Sequence, residues 1–299
     1  MKNFIIAIVV IILAGVGIYF VTKSLTMPKN PEVSTTETTQ EIATTTEEQN
    51  PSQAIIGQSV EGRDIVAYNF GTGSTKLLFV GGIHGGYEWN TALVAYQLMD
   101  YLKANPTIIP ANIKVTVIPV LNPDGLYKIM GTTTENFTQA NMSLSLSATV
   151  PGRFNANNVD LNRNFDCDWQ TTGTWQNKTV SGGNSVFSES ESLAMKNYVG
   201  ANKPTAVVVY YSSAGGVYAS SCHNGVSSET DTLTQTYATA SGYPAYQSFD
   251  FYATTGDMVN WLAKMNIPAI SVLLTNHTDT EWTKNQAGIV ALLKYYSTK

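Results

Sequence analysis

The chain reads as an α/β protein: a three-layer α/β/α sandwich around a mixed, mostly parallel central sheet. Three observations predict this. Short apolar runs such as "KLLFV", "TAVVVYY" and "AISVLL" lack polar alternation, as strands do when both faces are covered. Segments with apolar residues at helical spacing lie between these runs. Turn residues (Gly, Asn, Ser) close the runs, so strands and helices alternate, the order that builds helices onto both faces of a sheet.

The elements follow in order. Leu77 to Val80 is a buried strand ending in the glycine turn "GGIHGG". "WNTALVAYQLMDYL" places Leu93, Tyr96, Leu98, Tyr101 and Leu102 at helical spacing. "IKVTVIPV" is a strand, stopped by turn chemistry at Asn122–Gly125. "SESESLAMKNYVG" is a helix with a serine start and a glycine stop. "TAVVVYY" is a strand, "TTGDMVNWLAKMNIP" a helix, "AISVLLTN" a strand, and "KNQAGIVALLKYY" the closing helix. In such sheets ligands bind beyond the C-terminal strand ends. "GGIHGG", "YYSSAGG" and "LLTNHTD" all fall there.

This domain occupies residues 54–299. Ahead of it, residues 4–21 form an apolar run of 18 residues without a charge, just long enough to span a hydrocarbon core. Residues 1–26 are read as a transmembrane anchor. A cleaved signal peptide is the alternative, but its apolar region is usually shorter and no A-x-A-like site follows. Residues 27–53 are Thr- and Glu-rich, almost without large apolar side chains, and bracketed by prolines; they read as a disordered stalk. The expected location is a cell membrane, single-pass, with the C-terminal domain extracytoplasmic. There Cys167 and Cys222 can pair; two separate buried thiols are the alternative, and with no C-x-x-C a zinc knuckle is excluded. A net charge of −5 without a Lys/Arg cluster argues against a nucleic-acid partner. Four N-x-[ST] sequons occur, at Asn136, Asn141, Asn177 and Asn276.

Two stretches carry chemistry. "GGIHGGYEWN" sets His84 and Glu88 four apart at a strand end: either a helix-starting acid beside a turn histidine, or half of a metal site. "GRFNANNVDLNRNF" holds Arg153 and Arg163 in a chain only 13% charged. An arginine fork suits a carboxylate, with Asn as a second donor; a surface ion pair with Asp160 is the plainer reading of either arginine alone.

With "IGQSVEGRDI", "NPDG", "SGGNSVFSESES", "YYSSAGG" and "TTGDMVNWLAKMNIPAISVL" in order around these, the sequence resembles the zinc carboxypeptidases of the carboxypeptidase A type, from residue 55 to about 295. The resemblance implies zinc-dependent hydrolysis of C-terminal peptide bonds, with one zinc ion as cofactor. It implies His84 and Glu88 as zinc ligands, though the family commonly spaces them H-x-x-E and this chain has H-x-x-x-E. It implies Asn162 and Arg163 as the grip on the substrate's terminal carboxylate and Arg153 as the group that stabilises the oxyanion. Tyr252, with Tyr246 as the second choice, implies a tyrosine covering the substrate.

Two positions depart from the family. The third zinc ligand is a histidine in the pattern H-S-x-G-G; aligned on Gly215 and Gly216, that position is Ser212. The catalytic base is a glutamate in I-P-A-x-x-x-E-L; counted from Ile267, that position is Leu273. A serine hydroxyl is a weak zinc ligand, Tyr211 beside it a poor one, and leucine accepts no proton. Loss of a general base alone typically costs ~10²–10⁴-fold. His223, His277 and Glu281 are read as loop residues rather than as substitutes. The expectation is an impaired metallocarboxypeptidase; the alternative is a catalytically inactive binder of peptide C-termini, cell-wall (peptidoglycan) peptides among them.

Overall fold

The computed structural model describes residues 51–135, 137 and 145–299. The anchor, nearly all of the stalk, and the sequons at Asn136 and Asn141 lie outside the described residues. No described helix is long and apolar enough to cross a membrane.

Ten strands are present among the described residues. β1 (Ser52–Gln58) and β2 (Asp64–Phe70) form an antiparallel hairpin. β3 (Thr75–Val80), β4 (Ile113–Ile118), β7 (Ala206–Ser212) and β10 (Ala269–Leu274) are the apolar runs. β5 (Thr172–Trp175) and β6 (Lys178–Ser181) make a separate two-stranded hairpin. β8 (Gly216–Ala219) and β9 (Ala245–Tyr246) complete an eight-stranded sheet in the order β1-β2-β4-β3-β7-β10-β8-β9. Its middle, β4-β3-β7-β10, is parallel throughout; antiparallel pairings flank it on both sides. The expected mixed α/β architecture is therefore the observed one.

The helices are α1 (Trp89–Ala104), α2 (Pro123–Met130), α3 (Ser190–Asn202), α4 (Ser228–Ser241), α5 (Met258–Lys264) and α6 (Trp282–Tyr296), with short turns between. They divide the core in two. α1, α4 and α6 cover one sheet face, burying Leu98, Tyr237 and Leu292 against Phe79, Val208, Tyr210 and Val272. α3 and α5 cover the other, burying Met195 and Trp261 near Leu78, Val209, Tyr211 and Leu273. Successive strand residues point to opposite faces, so neighbours such as Tyr210 and Tyr211 belong to different layers.

"NPDG" departs from its expected role as a turn. Asn122 caps a helix, its side chain accepting from Gly125 N at 2.8 Å, with Pro123 in the first turn, where its missing N–H costs nothing. α4, rich in Ser and Thr, was not legible as a helix in the sequence.

Cys167 and Cys222 form a disulfide, with Cα atoms 6.2 Å apart and 55 positions apart in sequence. It ties the segment following Arg163 to the loop following β8. Mutating both cysteines to alanine is expected to cost about 2–4 kcal/mol, since the bridge restricts a long loop in the unfolded chain. Denaturant unfolding of the two proteins measures this; an unchanged midpoint would leave the bridge without a stabilising role.

Candidate active site

The site lies at the C-terminal ends of β3, β7 and β10, facing a cavity of about 260 Å³. His84 and Glu88 reach it from the turn between β3 and α1. That turn, Gly85–Glu88, is a single 3-10 turn in which His84 O accepts from Tyr87 N and Glu88 N. Gly85 has φ +42°, and a Cβ there would stand 2.7 Å from Gly125 C and Gly152 O. Only glycine lets this turn pack so closely onto α2 and the Val150–Gly152 turn, which carries Arg153 in next to Glu88.

The longer H-x-x-x-E spacing is absorbed by this turn. His84 Nδ1 stands 2.9 Å from Glu88 Oε1, both side chains almost fully buried. Neither histidine nitrogen makes a hydrogen bond, nor does Glu88 Oε2. A nitrogen and a carboxylate oxygen this close, without donor–acceptor alignment, converge as two ligands of one cation do. Zinc bonds of 2.0–2.2 Å in tetrahedral array put ligand atoms roughly 3.3 Å apart.

Asp160 lies on the other side of the ring, Oδ1 at 3.3 Å from His84 Nε2. It is wholly buried and receives Nε and Nη2 of Arg153 on Oδ2, at 3.0 and 2.8 Å. The Arg153–Asp160 pair therefore exists, but in the interior rather than on the surface. Burial alone would raise the Asp160 pKa; Arg153, then His84, overcome this and hold it well below the usual carboxylate range. Burial opposes the charge on Arg153 too, yet Asp160 and Glu88 raise its pKa on balance. Trp175 of β5 covers the guanidinium at 4.4 Å.

Arg163 donates from Nη1 to Asn162 O and from Nη2 to Thr174 O, each at 2.7 Å, while its buried Nε has no partner. Asn162 spends one amide N–H on Asp257 Oδ2 (2.8 Å), and its Oδ1 accepts from Met258 N and from the Tyr211 hydroxyl, both at 3.1 Å. Asp257 is the N-cap of α5, and burial raises its pKa. Tyr252 lines the cavity, its ring 5.7 Å from the Arg163 guanidinium. Tyr246 stacks instead on Tyr218, at 4.7 Å, and is largely exposed.

The two departures occupy neighbouring strands. Leu273 pairs with Tyr211 in the parallel register of β10 and β7, and both side chains belong to the cavity-side layer. Tyr211 stands beside His84, ring centroids 5.7 Å apart. Ser212 also lines the cavity, but its hydroxyl is engaged by Asn90 and His277. Asn90 Nδ2 donates to the carbonyls of Asn276 and Asp279, so its Oδ1 must accept, and Ser212 Oγ donates to it at 3.2 Å. Ser212 Oγ then accepts from His277 Nδ1 at 2.8 Å. Burial lowers the His277 pKa, which keeps this arrangement neutral. Glu281 is committed to its own loop, accepting from Thr275 N and Tyr243 Oη. His223 pairs with Asp168 at the surface. Asp160, Asn90, Asp257 and the Tyr211 hydroxyl are thus site residues that sequence reasoning did not find.

Zinc chemistry in such a site needs three protein ligands and an open water position. His84 and Glu88 supply two. Among the described residues, the one group of three His, Cys or acidic ligand atoms that converge is Cys167, Cys222 and His223, whose sulfurs are spent in the disulfide. The donor set fits half of a zinc site and does not complete it.

Sheet, strand-end cavity, His/Glu turn and buried arginines together define a hydrolase-type α/β scaffold of the metallopeptidase kind. The chain belongs to the zinc carboxypeptidase family, whose profile matches residues 39–290. A gamma-D-glutamyl-L-diamino acid endopeptidase of Lysinibacillus sphaericus is 26% identical over 217 residues, 66% of this chain and 54% of that protein. Carboxypeptidase Z of Rattus norvegicus is 33% identical over 123 residues, 37% of this chain and 17% of its own length. The chain thus spans about half of the first relative and under a fifth of the second. Among solved structures, murein-tripeptide amidase MpaA of Escherichia coli O157 superposes with a TM-score of 0.57 at 20% identity, over 82% of this chain and 92% of that one. Thrombin-activatable fibrinolysis inhibitor gives 0.64 at 15% identity, over 84% and 70%. At these identities the structural likeness speaks for the fold.

Proposed function

We propose that this chain is a zinc-carboxypeptidase-family domain that binds peptide C-termini and has lost efficient hydrolysis. One observation carries the reading: Tyr211 and Leu273 stand side by side on the cavity face of the sheet, next to His84. On this reading Tyr211, not Ser212, takes the place of the third ligand, because it shares the sheet face of Leu273. Tyr211 also gains a task there, since its hydroxyl fixes the Asn162 amide beside Arg163. The metal side of the site is dismantled while the carboxylate side is braced.

Arg163, with its unpartnered buried Nε, and the second N–H of Asn162 would hold a terminal carboxylate; Arg153 would face the adjacent carbonyl. Tyr252 would cover the bound residue. Burial raises the Tyr252 pKa, so it remains a protonated donor at neutral pH. Cell-wall peptides are one ligand class this reading admits, one relative being named for a cell-wall-type gamma-D-glutamyl peptide substrate. The apolar segment 4–21 would hold the domain at an outer membrane surface.

The residual metal pair supports a second reading, a weak metallocarboxypeptidase binding zinc through His84 and Glu88 alone. A titration of labelled tripeptides, as free acids and as C-terminal amides, tests the first. The acid is expected to bind ~10–100-fold tighter, the worth of a charge-assisted hydrogen bond or two. Equal binding of acid and amide would sink it.

A further inference from the structure

We infer that the side-chain pocket beyond Arg163 selects an uncharged C-terminal residue carrying a hydrogen-bonding group, of the Gln, Asn, Ser or Thr kind, with Tyr218 as the residue that reads it. This rests on the carboxylate-binding reading above and specifies its ligand.

The pocket wall opposite Arg163 is built by β8, β10 and α5. Tyr218, Ser221, Ser248, Ser271 and Asn260 face the cavity there, with Phe249 as the apolar element. The acid in this lining is Asp257, which accepts from Asn162 Nδ2 on Oδ2 at 2.8 Å and from Asn260 N on Oδ1 at 3.0 Å. An aspartate or glutamate side chain would meet it as a like charge without a counter-charge, which is costly, and a lysine or arginine side chain offers donors only and would leave Asn260 Nδ2 without an acceptor.

A purely apolar side chain is disfavoured for the opposite reason. Tyr218 is 3% exposed, and its hydroxyl makes no hydrogen bond in the protein. Its ring is fixed between Tyr246, stacked at 4.7 Å, and Phe249, edge-on at 5.5 Å, so the hydroxyl cannot swing away to solvent. Asn260 adds a second donor, because its Nδ2 makes only a long 3.5 Å contact with Thr254. A leucine or phenylalanine side chain would seal these groups off unpaired. A carboxamide would satisfy both, accepting from one and donating to the other. Sites with such fixed polar groups reject ligands lacking the matching atom more strongly than apolar pockets reject an extra methylene.

The test is a fluorescence titration of the full-length chain with N-labelled tripeptides ending in Gln, Leu, Lys or Glu, each as acid and as amide. Among the acids, Gln is expected to bind about tenfold tighter than Leu, and tighter still than Lys or Glu. Tyr218→Phe is expected to bring the Gln-to-Leu ratio close to one while the acid-over-amide preference persists. Tyr210→Phe, which removes an unpartnered buried hydroxyl in the opposite core layer, is expected to keep the ratio and controls for a general disturbance of the sheet. A preference for Leu, Lys or Glu, or an unchanged ratio in Tyr218→Phe, would overturn the assignment of the pocket alone. Equal affinity for acids and amides, or binding of none of them, would overturn the carboxylate reading and this inference with it.

Discussion

Tyr211→His combined with Leu273→Glu is expected to turn this chain into a zinc-loaded peptidase. The argument is geometric. The two residues are register partners on β7 and β10, and both face the cavity next to His84 and Glu88. A histidine at 211 would complete three protein ligands, and imidazole exceeds a phenol or hydroxyl by orders of magnitude as a zinc ligand. A glutamate at 273 would restore a group able to take a proton from the attacking water, worth ~10²–10⁴-fold. Zinc measured after gel filtration should rise to one per chain in the double variant and in Tyr211→His alone. Release of the C-terminal residue should be strong only in the double variant. Ser212→His with Leu273→Glu is the decisive control. A histidine at 212 would have to displace the Asn90–Ser212–His277 network at the end of β7, and should gain neither metal nor activity. Activity in the 212 variant and none in the 211 variant would reverse the assignment.

That control marks where sequence reading reaches its limit. The apolar runs that became β3, β4, β7 and β10 were legible because burial on both faces leaves no polar alternation to confuse them. The site's arginines, its histidine and its first glutamate were legible because they stand in dense local motifs. The side a strand residue faces was not. Tyr211 and Ser212 differ by one position at the end of β7, and choosing between them requires the pairing register that sets Tyr211 beside Leu273, which no local pattern states. α4 was missed for a related reason. Its buried stripe is Thr230, Leu233, Thr234 and Tyr237, with three hydroxyl-bearing side chains where the eye seeks aliphatic ones. Asp160 had a signal in hand, standing two residues before Asn162 in "VDLNR". Its meaning comes from two partners, 76 residues before it and 7 before it in sequence, that only folding brings together. The capping role of Asn122 was hidden behind a Pro-Asp-Gly sequence that serves turns and helix starts alike.

The second large effect is expected from Arg153→Ala, and it should appear in stability before it appears in binding. Arg153 is 2% exposed and is the cation that holds Asp160, itself wholly buried, in its ionised form. Removing it leaves a buried carboxylate facing His84 and Glu88 without a guanidinium, a loss of about 3–5 kcal/mol by analogy with other broken buried pairs. The pH dependence follows from the direction of the shift. In the parent chain the Asp160 pKa lies far below its unfolded value near 3.9, so its contribution is fully present above about pH 4 and fades as pH falls further. In Arg153→Ala burial dominates and the Asp160 pKa rises, so the penalty is largest at neutral pH and eases as acid protonates the carboxyl. The stability gap between the two proteins should therefore narrow from pH 7 to pH 4. Asp160→Asn in the Arg153→Ala background should recover part of the loss at pH 7, because the amide removes the unpaired charge. Urea midpoints of the four proteins of this cycle, at both pH values, measure the coupling directly. A gap that stays constant with pH, or a double variant no more stable than Arg153→Ala, would mean that Arg153 is held for its packing under Trp175 rather than for its charge.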